Sequence, residues 1–168
     1  MRAELRVELR SATGETIEVR HAHNAVMRSG ATLIASLFTG QGAPITHMGV
    51  GTSASPETDT FSTEQLTNDA SDGGTPLDGD TEAPLPIESF QPPEIDETRR
   101  VVRVRLRGTL PPNAAVGVVR EAGLISRTDA GAVLYNRVTF APITKGDDHE
   151  LTLFWEVTFP YGDLQWVM

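Results

Sequence analysis

The four histidines are the first side chains in this sequence that could bind a metal ion or transfer a proton. His21 and His23 are separated by one residue, whereas His47 and His149 stand alone, and no sequence motif links them to the pair. The chain contains no cysteine, so neither a thiolate zinc site nor a disulfide can form. The sequence therefore predicts no catalytic residue, no metal site and no cofactor, and we interpret the histidines as surface or core residues.

The carboxylates are concentrated in one segment. Residues 53–97 contain 12 Asp and Glu residues and no Lys or Arg, whereas the remainder of the chain has 11 acidic and 14 basic residues. The segment thus carries −12 and the remainder +3 of the net charge of −9. Its Asp- and Gly-rich stretch from Asp72 to Glu82 could supply oxygen ligands to calcium, but it lacks the spacing of a helix–loop–helix calcium site. We interpret this stretch as a solvated acidic loop.

The acidic segment is also rich in Pro, Gly, Ser and Thr, and has too few aliphatic residues to form a core of its own. We interpret residues 53–97 as an acidic insertion in a single domain that spans residues 1–168. Phe61 and Leu66 are the side chains that could anchor it to the body. We expect the insertion to become ordered on assembly with other proteins.

Three arginines follow the acidic segment at a spacing typical of a strand. Residues 102–107 alternate between aliphatic and basic side chains, which places Arg103, Arg105 and Arg107 on one face, roughly 7 Å apart. This row is either a solvated outer face or a docking strip for carboxylates of the acidic segment or of a neighbouring subunit. Nucleic acid is a weaker candidate, because no aromatic residues interleave with the arginines to stack on bases. We therefore expect protein partners and no nucleic acid.

Two further sets of residues are candidates for an interface. Arg120 and Glu121 interrupt the apolar run 116–125, where an unpaired charge would be costly, so we predict a structural junction in which both are paired with groups of the same fold or of a neighbour. The segment after the last predicted strand carries apolar side chains that the core has no room to bury. Exposed apolar segments usually mark partner contacts, so this segment is predicted to be an interface element. Its apolar residues are Leu164, Trp166, Val167 and Met168.

The elements that must position these residues are mostly short strands. The period changes to helical between Ser29 and Phe38, with Ser29 as a candidate N-cap and Gly40 as the stop. We predict a mainly β protein, an antiparallel β-sandwich or barrel of about seven strands with one packed helix and a long acidic insertion. The predicted strands are 3–9, 17–21, 45–50, 102–107, 116–125, 133–140 and 150–159.

The sequence also bears on where the protein is made. No apolar run approaches the roughly 20 residues that a membrane helix needs. The N-terminus alternates charged and apolar residues where a signal peptide would need a continuous apolar block. We expect synthesis in a cytoplasm and no membrane partner.

Several short segments of the chain follow one another in a characteristic order. Met48–Thr52 (MGVGT) is followed by Pro56 and by residues 58–64 (TDTFSTE), and later by Arg120–Ile125 (REAGLI) and Phe140–Lys145 (FAPITK). In this order the segments resemble the N-terminal baseplate-attachment domains of phage tail fibres and small tail proteins related to them. The similarity covers about residues 24–159 when the acidic segment is treated as an insertion.

The resemblance implies a non-enzymatic structural protein of a tailed phage or phage-tail-like particle. Such a protein would be located in the virion and would contact other tail or baseplate proteins and copies of itself. Since the chain ends at Met168 with no fibrous shaft or receptor-binding tip, we expect a tail, baseplate, collar or fibre-attachment component.

Two other functions remain open at this point, a head decoration protein and a surface carbohydrate-binding module of the particle. The second would need exposed aromatic platforms. Trp155 is expected in the core, which leaves few aromatic residues for that role.

Overall fold

The computed structural model describes residues 2–56, 61–70 and 75–163, which form an antiparallel β-sandwich with one helix. The predicted fold class is confirmed, with ten strands in the described part. The helix is α1 (Arg28–Phe38). The strands are β1 (Arg2–Arg10), β2 (Thr16–Val26), β3 (His47–Gly51), β4 (Glu82–Pro84), β5 (Glu94–Asp96), β6 (Val101–Leu110), β7 (Gly117–Thr128), β8 (Gly131–Leu134), β9 (Asn136–Lys145) and β10 (Glu150–Pro160).

All strand pairs are antiparallel and form one continuous, curled sheet in the order β4-β3-β7-β9-β2-β1-β10-β6-β5. Its first half, the β7 sheet, contains β4, β3, β7 and β9, with β8 pairing with β7 beside β9. Its second half, the β10 sheet, contains β2, β1, β10, β6 and β5. The halves meet where the end of β2 pairs with the start of β9, through Ala25–Arg137 and Val26–Asn136.

Strict alternation on β1 and β10 builds the centre of the core. Leu5, Val7 and Leu9 are at most 2 % exposed, and β10 places Leu153 and Trp155 beside them. Burying one such aliphatic side chain stabilises the fold by roughly 1.5–3 kcal/mol. Because the period is two, the same alternation puts the charged residues of these strands on the opposite, outer face of the β10 sheet.

Helix α1 covers one end of the core. A Cβ atom at Gly30 would lie 1.9 Å from the Tyr135 carbonyl oxygen, so only glycine allows this close approach. Met27 occupies the N-cap position without a side-chain bond, and the Ser29 hydroxyl donates instead to the Leu134 carbonyl at 2.6 Å, so the predicted N-cap was wrong. Gly40, at a φ of 72°, ends the helix as predicted. In the described residues, no helix is long and apolar enough to cross a membrane.

The acidic segment contributes strands to the sheet and side chains to the core, instead of forming an insertion outside them. β4 pairs with the β3 edge and β5 with the β6 edge, so the segment runs from one end of the sheet to the other. Its Leu77, Ala83 and Leu85 are at most 5 % exposed within the shared core. Of the two predicted anchors, Leu66 packs on Ile125 and its neighbours, whereas Phe61 is 52 % exposed.

Candidate functional site

The predicted arginine row lies on β6, on the outer face of the β10 sheet, and two of its members are held by carboxylates. Arg105 donates from Nε to Glu156 at 2.9 Å and from Nη1 to Glu94 at 3.1 Å. Arg103 donates to Asp96 at 3.3 Å. Glu94 and Asp96 belong to β5, in the acidic segment. Of the two carboxylate sources that the sequence left open, the chain's own acidic segment binds Arg103 and Arg105.

Arg105 is paired while its side chain remains 44 % exposed to solvent. The hydrogen bond with Glu156 is the main cause that raises the pKa of Arg105, and the charge of Glu94 adds to it. Glu82, a further residue of the acidic segment, also raises the pKa of an arginine, on the other half of the sheet. Glu82 accepts from Arg127 at 2.6 Å and raises the pKa of that guanidinium.

Arg107 differs from its two neighbours, because no carboxylate among the described residues pairs with it. It stands in register with Phe154 on β10 and Arg6 on β1, and the next strand places His21 beside Arg6. The Arg6 guanidinium carbon lies 4.2 Å from the centre of the Phe154 ring, a cation–π contact. These four residues form a row across the sheet that we call the cationic row.

A shallow groove of about 740 Å³ runs along the cationic row. Its walls also carry the carboxylates Glu4, Glu88 and Glu156, so positive and negative groups alternate along it. Arg107 is exposed, and the side chain of Arg6 is 45 % exposed. The groove therefore offers charged groups to a partner that brings complementary charges to the same spacing.

Glu121, in contrast to the exposed Arg107, is shielded from solvent. It is fully buried in β7, where its carboxylate accepts a bond of 2.5 Å from Arg137 Nε and one of 2.7 Å from the Thr67 N–H. A Cβ atom at Gly51, the cross-strand partner of Glu121, would lie 2.3 Å from the carboxylate. The prediction of a paired junction is confirmed for Glu121.

Arg120 does not take part in that junction. It lies at an irregularity in the β7–β9 pairing and is half-buried. Within the described residues its Nη1 has no hydrogen-bond partner. Glu121 takes Arg137 as its partner within this chain, and pairing of Arg120 with a group of a neighbouring protein stays a prediction.

Lys145, the only lysine of the chain, is 1 % exposed at the end of β9. Its ammonium group donates to the Pro111 carbonyl at 2.9 Å. Desolvation lowers the pKa of Lys145, and the charges of Glu150, Asp147 and Asp148 oppose that change. This buried amine fixes the 111–114 turn against the end of the sheet.

The histidines do not come together as a site. His21 and His23 share the outer face of β2, His47 contacts Thr46, and His149 accepts from the Gly146 N–H. Within residues 2–56, 61–70 and 75–163 no three His, Asp or Glu side chains are placed to hold a metal ion.

Some predicted residues cannot be placed. Residues 58–60, Asp72 and the interface candidates Leu164, Trp166, Val167 and Met168 lie outside the described residues. Trp155 and Tyr135 are 2 % and 3 % exposed and face the core, so neither side chain can form a platform for sugar stacking.

The sequence did not point to Arg137, Glu94, Asp96, Glu156 or Phe154. The alternating charges of β1 and β10 were a signal that their outer faces are polar, but which charge opposes which depends on strand register. No family model matches this chain, and neither a curated protein nor a solved structure matches it significantly.

Proposed function

We propose that this protein is a non-enzymatic structural component of a tailed phage or phage-tail-like particle. It acts as a tail, baseplate, collar or fibre-attachment component through contacts with other tail proteins and with copies of itself, and its location is the virion. The proposal rests on the order of the segments that resemble tail-fibre attachment domains, and on how those segments are arranged in the fold.

The observation that carries the proposal is that two of these segments pair directly and a third adjoins them in the same sheet. Met48 pairs with Leu124 and Gly49 with Gly123, so the MGVGT and REAGLI segments lie side by side on β3 and β7. On the other side of β7, the FAPITK segment pairs through Ile143 with Val119, the residue just before REAGLI. Segments about 70 residues apart in sequence thus form one sheet, as expected if they belong to a common structural unit rather than matching by chance.

The surface of the β10 sheet supports the part of the proposal that concerns partners. An exposed face suits reversible contacts between proteins when it carries charges of both signs, an aromatic ring and Arg107, which has no ion-pair partner among the described residues, since complementary charges fix orientation and register. Arg103 and Arg105 already bind carboxylates of this chain in the same way.

The test is to locate the chain in intact particles. Mass spectrometry of particles purified from cells that encode this sequence should detect it in a fixed ratio to the other tail proteins, and antibody labelling should mark the tail. A chain that stays in the lysate when particles sediment would contradict the proposal. Labelling of the head would favour the decoration protein instead.

A substitution tests whether Arg107 mediates incorporation into particles. Arg107→Gln should reduce incorporation into particles while leaving the thermal stability of the isolated chain unchanged, because Arg107 is exposed and has no ion-pair partner among the described residues. Arg99→Gln is the matched control, since Arg99 is exposed and lies away from the groove.

A further inference from the structure

Two rows of opposite charge lie side by side on the outer face of the β10 sheet. The cationic row contains Arg6 and Arg107, and the row two residues further along the strands contains Glu4 and Glu156, which are in register with each other. Side chains two residues apart on a strand share a face and stand roughly 7 Å apart. We call Glu4 and Glu156 the carboxylate row, and both rows line the groove of about 740 Å³.

The middle of the groove floor offers side chains rather than backbone to a partner. β10 pairs with β1 on one side and with β6 on the other, so its backbone N–H and C=O groups are directed to those strands. A partner therefore cannot add a strand at this place, and recognition depends on the charged and aromatic side chains of the outer face.

The accessible charges of the two rows are of both signs. Arg107 is exposed and has no ion-pair partner among the described residues, and the side chain of Arg6 is 45 % exposed. Stacking on the Phe154 ring holds the Arg6 guanidinium over β10, the strand next to that of Arg107. The side chain of Glu4 is 66 % exposed, and its contact with His23 is long, at 3.9 Å. A partner thus meets two arginines and a carboxylate that are open to new ion pairs.

The balance of charge decides which kind of segment fits the groove. A segment with acidic side chains alone would be attracted by the arginines and repelled by the glutamates, and a basic segment would meet the reverse. Complementarity therefore requires both signs on the same side of the segment. The charged residues that line the groove, His21 apart, are Arg6, Arg105, Arg107, Glu4, Glu88 and Glu156.

The chain already matches charges at a period of two between its own strands. Glu94 and Asp96 are two residues apart on β5, and they bind Arg105 and Arg103, which are two residues apart on β6. When both partners are extended, successive ion pairs form without bending either chain, because their side chains repeat at the same distance.

We propose that the groove binds an extended segment of a partner protein in which an acidic and a basic residue are two positions apart. The acidic side chain lies between Arg107 and Arg6, and the basic side chain lies on Glu4. The segment runs along the strands, so that its own spacing of roughly 7 Å matches the distance between the two rows. This inference rests on the proposed function, of which it specifies the chemistry of the partner.

Peptide titration followed by NMR tests the proposal with the full-length chain. The probe is a peptide of three Thr-Glu-Thr-Lys repeats, which places alternating acidic and basic side chains on one face when extended. The control peptide has three Glu-Lys-Thr-Thr repeats, which have the same composition but place the two charges on opposite faces. We expect the probe to shift the amide signals of Arg6, Phe154 and Arg107, and to bind more tightly than the control peptide.

Two substitutions of opposite charge test the two rows separately. Arg107→Gln and Glu4→Gln should each raise the Kd of the probe by roughly two- to fivefold, the range expected for the loss of one exposed ion pair. Arg99→Gln is the matched control, because it removes an exposed charge that does not line the groove, and it should leave the Kd unchanged.

The inference fails if the two peptides bind equally. It also fails if Glu4→Gln strengthens binding, which would indicate a partner with acidic side chains alone. Shifts of the same amide signals that depend on protein concentration without peptide would assign the groove to a second copy and overturn the inference as well. The proposed function is tested separately by sedimentation, because a chain that is found in particles but binds neither peptide would retain that function and lose this inference.

Discussion

The buried Glu121–Arg137 pair and the exposed Arg105–Glu94 pair use the same two chemical groups in opposite settings. Glu121 and Arg137 are at most 3 % exposed, whereas Arg105 and its partner Glu94 have side chains that are 44 % and 55 % exposed. A buried ion pair has lost its hydration, so each partner depends on the other. An exposed pair can exchange its partner for water or for another protein at little cost.

The comparison distinguishes charged residues that stabilise the fold from charged residues that remain accessible at the surface. The junction at Glu121 joins β7 and β9 and also holds the acidic segment, through the Thr67 N–H. The outer pairs hold β5 against β6 but leave Arg107 and Arg6 accessible beside them. Buried charge thus fixes the fold, while the exposed charge of the same type remains available for contacts.

The largest effect should follow from breaking the buried pair. Glu121→Gln should lower the free energy of unfolding by about 3–5 kcal/mol, because Arg137 would remain buried without a compensating charge. Urea denaturation followed by circular dichroism measures this directly. The double variant Glu121→Leu with Arg137→Leu should recover much of the loss, although the Thr67 N–H then lacks its acceptor. A loss below 1 kcal/mol for Glu121→Gln would mean that the pair is not buried as described.

A smaller, pH-dependent effect is expected at Lys145. Because burial lowers its pKa in the folded chain below the ordinary 10.5, the unfolded chain binds more protons between the two values. The stability contributed by this group should therefore rise as the pH increases through the folded pKa, and level off above about 10.5. The measurement is the difference in unfolding free energy between the unmodified chain and Lys145→Met from pH 8 to 10.5. A difference that does not change with pH, or that falls as the pH rises, would contradict the pKa direction.

The smallest effect on stability is expected for the exposed Arg105. Arg105→Gln should leave the melting temperature nearly unchanged in 0.15 M salt, because its side chain is 44 % exposed, so water replaces the lost partner and salt screens the charges at a range of roughly 8 Å. Self-association or particle incorporation, by contrast, should weaken with salt and with this substitution. Comparing melting curves with sedimentation of the same variant separates the two roles. If Arg105→Gln melted as early as Glu121→Gln, the contrast between buried and exposed charge would fail.

The fold class could be predicted because alternation is strict over the nine residues of β1, and β6 and β10 also alternate over most of their length. β4 and β5 could not, since each has only three residues and little apolar pattern. Their strand geometry comes from hydrogen bonds with the edges of β3 and β6, an influence that a local sequence pattern does not contain.

The candidate site was predictable to a similar extent. The row of Arg103, Arg105 and Arg107 follows from a period of two, but its division into paired and unpaired arginines depends on where β5 ends beside β6. Arg137 was missed as the partner of Glu121 because the two are brought together by the register of β7 and β9, with a bulge at Arg120.

The short acidic strands at both ends of the sheet have a consequence for how copies of this protein behave at high concentration. β4 and β5 are its terminal strands, so a neighbouring sheet that approaches either end meets three residues of backbone and the carboxylates Glu82, Glu94 and Asp96. Short, charged edge strands are poor templates for adding further strands, and like charges repel a second copy. Side-by-side growth of the sheet, the first step towards fibrillar aggregates, is thereby disfavoured.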